Sequence, residues 1–115
     1  MKFLAMIYAD ESRWTDATPE QIAATMQAHG TFGENAGKAG VFAGGEGLQP
    51  TATATTVRVR DGERMLTDGP YAETKEQIGG YYVVDCKDLD EAIEVAAKIP
   101  GARIGTIEVR PIWDM

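Results

Sequence analysis

His29 is the only histidine in the chain. A neutral imidazole takes or gives a proton near pH 7 without a large pKa change, which suits a general acid or base. Such a group needs an orienting partner. Asp68 opens a polar stretch after a predicted strand and could supply the carboxylate. If it does, the imidazole pKa should rise above its ordinary ~6.5, against the opposite pull of burial. Tyr8, Glu73, Lys75 and Arg110 are the candidates for substrate contact: a phenol at the end of the first strand, two charges in the polar loop, and a guanidinium near the end of the last strand. Each has a plainer reading. His29 could be a core histidine bonded to a backbone carbonyl, and Asp68 before Gly69-Pro70 could serve only a turn. Arg110 could form a rim salt bridge, and the loop charges could be solvated.

Two other chemistries are not expected. Gly44-Gly45-Glu46-Gly47 is glycine-rich, but no helix follows it to complete a phosphate cradle. A metal would have to join His29 to carboxylates such as Glu46 or Asp68, and no close-spaced ligand pair exists. The His29–Asp68 pair would need no cofactor.

The elements that must position these groups follow from periodicity and caps. Phe3 to Tyr8 is nearly all apolar, as in a strand covered on both faces. Thr18, Pro19 and Gln21 form a capping-box start for a helix reaching about Ala39 and stopping at Gly40. Its inner stripe is read as Ile22, Met26, His29, Gly33 and Ala36. Gly30, Gly33 and Gly37 weaken this helix and suggest close approach of another element. Val41-Phe42-Ala43 opens a second strand. Thr55 to Arg60 and Arg64 to Thr67 flank Asp61-Gly62 as a hairpin. Ile78 to Asp85 is a strand, Asp88 with Glu91 caps a second helix, and Ile104 to Trp113 is the last strand. In that second helix Leu89, Ala92, Ile93 and Ala96 should face inward. Without the hairpin, two strand-helix-strand units remain, which is the split βαβ or ferredoxin-like plan with an inserted hairpin, an α+β fold. Both helices then cover one sheet face, and a second copy is the simplest cover for the other.

Length and charge fit this plan. The 115 residues suit a single domain spanning 1–115. The net charge of −7 disfavours a nucleic-acid partner, but leaves room for a small anion in a locally basic pocket. Cys86 is the only cysteine, so no internal disulfide forms. The apolar start ends at Asp10-Glu11 without a cleavage pattern, and no run approaches the ~20 residues of a membrane helix. A cytoplasmic location without membrane attachment is expected.

Thr67-Asp68-Gly69-Pro70-Tyr71-Ala72-Glu73-Thr74-Lys75-Glu76 resembles the signature of the Asp-Gly-Pro-Phe (DGPF) branch of the YCII-related family. Gly45-Glu46-Gly47-Leu48, Thr55-Thr56-Val57-Arg58, Gly79-Gly80-Tyr81-Tyr82 and Glu108-Val109-Arg110-Pro111 match it in order and spacing. Tyr71 departs from the pattern's Phe but keeps the ring. The resemblance implies a homodimer of the dimeric α/β-barrel type. It also implies a histidine on the first long helix, a place His29 holds ahead of Ala39-Gly40, and a His-Asp pair in a pocket.

Two functions are compatible with these residues. One is a cofactor-independent small-molecule enzyme that uses His29 and Asp68 for proton transfer in a lyase- or dehydratase-like step. The other is a non-catalytic small-ligand-binding or regulatory module. The resemblance connects the latter with sigma-factor-dependent transcription.

Overall fold

A computed structural model describes residues 1–115. Strand β1 (Lys2–Ala9) is followed by a single-turn helix α1 (Ser12–Thr15) and the long helix α2 (Pro19–Lys38). Then come β2 (Phe42–Gly47), the hairpin β3 (Thr55–Arg60) and β4 (Glu63–Asp68), β5 (Gln77–Asp85), α3 (Leu89–Ala96) and β6 (Thr106–Pro111). Four strands form an antiparallel sheet in the order β2-β5-β1-β6. This arrangement is compatible with a ferredoxin-like plan. The hairpin stays apart as its own two-stranded sheet.

Local chemistry sets the boundaries. Thr18 Oγ1 accepts from the Gln21 N–H at 3.1 Å, and Gln21 Oε1 accepts from the Thr18 N–H at 2.9 Å. This closes the capping box and satisfies donors the helix start would leave unpaired. At the other end Gly40 takes φ +74°, a left-handed turn that glycine tolerates. Asp88 Oδ1 accepts from the Glu91 N–H at 2.9 Å and starts α3. Asp61 and Gly62 both take positive φ, as a two-residue hairpin turn demands.

The core lies between one sheet face and the helices. Phe3 and Ala5 from β1, Val84 from β5, Phe32 and Ala36 from α2, and Ala92 and Ala96 from α3 are buried there. Strand alternation sends the even-numbered residues of β1 the other way, so Leu4, Met6, Tyr81 and Val83 share the open face. α2 turns a stripe of Ile22, Thr25, His29, Phe32 and Ala36 inward, rather than the expected track through Met26, which is exposed. In α3, Ala92 and Ala96 face in, but Leu89 and Ile93 are exposed, because the helix contacts the sheet along a narrow alanine ridge. The last strand starts at Thr106, not Ile104, because Pro100–Arg103 forms a 3₁₀ turn first. Nothing lies within 4 Å of where a Cβ would stand on Gly30 or Gly37, so no element of the protomer approaches the helix there.

Candidate functional site

His29 lies on the inner stripe of α2, half-buried beside the sheet. Its Nδ1 is 2.8 Å from the hydroxyl of Tyr82, which rises from β5 on the helix side. The Tyr82 ring is held by Phe32 at 4.8 Å and by the edge of Phe42 at 6.1 Å. Beneath it β2 passes so closely that a Cβ on Gly45 would stand 2.6 Å from the Tyr81 carbonyl and from the Tyr82 ring. The aromatic packing therefore fixes the phenol, and the phenol fixes the imidazole.

Burial lowers the His29 pKa below its ordinary value, and no charged neighbour contributes to the shift. Burial also raises the Tyr82 pKa. Both groups are therefore neutral at pH 7 and share one proton between oxygen and nitrogen. If the phenol donates to Nδ1, Nε2 carries a hydrogen and acts as a donor. If Nδ1–H donates to the phenol oxygen, Nε2 is bare and acts as a base.

The expected partner, Asp68, makes no hydrogen bond to His29. It ends β4, is exposed, and pairs through its backbone with Thr55. The expected rise in the His29 pKa is accordingly reversed, because burial acts with no carboxylate to oppose it. Tyr8 and Arg110 do not join His29 either. The Tyr8 hydroxyl points to the Met6 sulfur at 3.9 Å, and Arg110 pairs with Glu108, both on the open face of the sheet. Glu73 and Lys75 are exposed in the loop between β4 and β5, and Lys75 is one of the cations that lower the Asp10 carboxyl, after the dominant hydrogen bonds from Ser12.

The signature loop is anchored rather than loose. Gly69 N–H donates to the Ala54 carbonyl at 2.7 Å, and Thr56 Oγ1 donates to the Gly69 carbonyl at 2.8 Å. Tyr71 lies under the Arg58 guanidinium, 5.3 Å from the ring centre, so the signature's aromatic ring braces the hairpin. Downstream, Gln77 Oε1 accepts from the Glu11 N–H at 3.0 Å, and the Glu11 carboxylate accepts from the Thr51 N–H and hydroxyl at 3.0 and 2.5 Å. Glu11, Thr51 and Gln77 thus tie two loops to the start of β5 at one end of the sheet. Sequence reasoning missed them, since none belongs to a recognisable motif. It also missed Tyr82 as the partner of His29: alternation sets Tyr81 and Tyr82 on opposite faces of their strand without saying which of them meets the helix. No cluster of three or more His, Cys, Asp or Glu side chains is placed to hold a metal ion.

These features define a small α+β protein whose antiparallel sheet is backed on one side by helices and carries one imidazole–phenol pair. A profile of the YCII-related domain matches residues 1–115. Uncharacterized protein R00369 of Rhizobium meliloti (strain 1021) is 38% identical over 117 residues, covering 97% of this chain and 92% of the relative. The chain belongs to the YCII-related family. No helix is long and apolar enough to cross a membrane.

Proposed function

We propose that this chain is a small-molecule enzyme of the DGPF branch that transfers protons through His29, without a cofactor, as a cytoplasmic homodimer. The observation that carries this reading is the 2.8 Å contact between the sole histidine and Tyr82, both held neutral by burial. With Nδ1–H donated to the phenol, Nε2 accepts a proton from a carbon acid and returns it to a leaving hydroxyl. That sequence is a lyase- or dehydratase-like elimination. Tyr82, not Asp68, is the group that orients the imidazole. Asp68, Glu73 and Lys75 are then candidates for holding the substrate. Tyr8 and Arg110 belong with the open sheet face, which Leu4, Met6, Tyr81 and Val83 make suitable for a second copy.

Incubation in D₂O with a panel of small β-hydroxy and β-keto acids tests the chemistry. The native protein should place deuterium at the carbon α to the carboxylate of at least one acid, and His29→Gln should not. Exchange by neither protein, or equally by both, rejects the enzyme. The second reading, a small-ligand-binding or regulatory module with a role in sigma-factor-dependent transcription, is favoured by the lack of any carboxylate bonded to His29. It would then stand alone.

A further inference from the structure

We infer that the groove between α2 and the segment that follows α3 binds a small organic anion with an apolar body, its acidic group held by Lys98 and Arg103, which both line it. This site is separate from His29, which does not line it. The groove is open to solvent along its length and offers about 730 Å³, within the usual range for small-molecule sites. Phe32, Ala36, Val41 and Val95 form an apolar floor. Gln27, Thr31 and Asn35 stand four residues apart along α2 and make a polar rim on one side. From Ala24 to Ala39 the groove follows α2 for about 22 Å, long enough for an extended chain or a fused ring body.

Charge selects the occupant. The chain has 18 acidic and 11 basic residues, yet the groove lining holds two cations and no carboxylate. Neither Lys98 nor Arg103 takes part in a salt bridge or a side-chain hydrogen bond. Both come from the segment after α3. Ile99 is buried, and Gly101 is buried so tightly against β1 that a Cβ there would stand 2.7 Å from Ile7 Cγ2. The backbone of this segment is therefore pinned at Ile99 and Gly101, the residues between its two cations. Eight of the 14 lining residues are hydrophobic, too many for a free inorganic anion and suited to an amphipathic one. The groove is on the helix side, away from the open sheet face offered to a second copy.

Octanoate, octyl phosphate and octanol, titrated calorimetrically into the full chain, test this site. Octanoate or octyl phosphate should bind at least about tenfold more tightly than octanol, as a charge-assisted hydrogen bond implies. The tighter of the two anions identifies the acidic group as carboxylate or phosphate. Amide shifts should map to Gln27–Asn35 and to the Pro100–Arg103 turn, and binding should weaken with added salt. Lys98→Gln with Arg103→Gln should reduce octanoate to the level of octanol. Absence of binding, equal affinity for acid and alcohol, salt-independent binding, or shifts confined to the open sheet face would each overturn the assignment. If the double variant fails to fold, the alcohol comparison and the salt dependence, both made on the native chain, decide it.

Discussion

At the scale of single residues, the site turns on which neighbour His29 meets. Its resonance in an NMR titration should show a pKa below the ordinary ~6.5, because burial lowers it and no carboxylate compensates. Asp68→Asn should leave that curve unmoved, since nothing bonds Asp68 to the ring. A raised midpoint, or a midpoint that follows Asp68, would restore the carboxylate as the orienting group. The same shift has a stability consequence. A histidine whose folded pKa is depressed contributes stability that is present above the unfolded pKa and lost as pH falls toward the folded value. Urea melts should therefore show the protein weakening from pH ~6.5 downward, before most carboxylates titrate. In His29→Gln that first loss should vanish. Tyr82 has the opposite sign, and its raised pKa costs stability only as pH rises above ~10. The inward place of His29 was legible from helix periodicity. Its partner was not, because alternation along a strand assigns a face without saying which residue on that face stands opposite.

At the scale of elements, short-range chemistry made most boundaries readable. Thr18, Pro19, Gln21 and Gly40 bracket α2 almost to the residue, since each satisfies or ends the helix through a local bond or angle. Removing the cap by Thr18→Ala should cost about 1 kcal/mol in a denaturant melt. The helix face was harder. The tracks 22-26-29-33-36 and 22-25-29-32-36 share three positions, and a period of 3.6 does not choose between them. Burial of the Phe32 ring chooses the second, leaving Met26 outside at 61% exposure. The glycines divide just as sharply. Gly30→Ala and Gly37→Ala meet open space and should each add about 0.5 to 1 kcal/mol. A loss at either site would reveal a partner packed against that face of the helix. Gly105→Ala should cost at least about 2 kcal/mol, because its Cβ would fall 2.0 Å from the Tyr8 carbonyl oxygen, which is fixed backbone.

At the scale of the whole molecule, the single chain exposes too much of itself. Its accessible surface is 8399 Å², whereas a monomer of 12.4 kDa should show about 6,100 Å². The radius of gyration is 16.0 Å against about 13 Å for a compact chain of this length. Only 11 of 115 residues are buried, a thin core for independent stability. Two features contribute to the excess. One is the open face of the sheet. The other is the hairpin, where Val57 pairs with Leu66 and both remain more than half exposed. A stable interface removes roughly 800 Å² from each partner, and the surplus of about 2,300 Å² per protomer is ample for that. Light scattering should therefore report twice 12.4 kDa at micromolar concentration. Val83→Arg puts a charge in the middle of the open face and should split that particle into protomers, since a buried unpaired cation costs more than the apolar contact it replaces. Leu66→Arg asks the same of the hairpin. If Val83→Arg dissociates the particle and Leu66→Arg does not, the sheets pack face to face and the hairpin is left free. A native particle of 12.4 kDa would mean that the open face is covered by something other than a second copy of this chain.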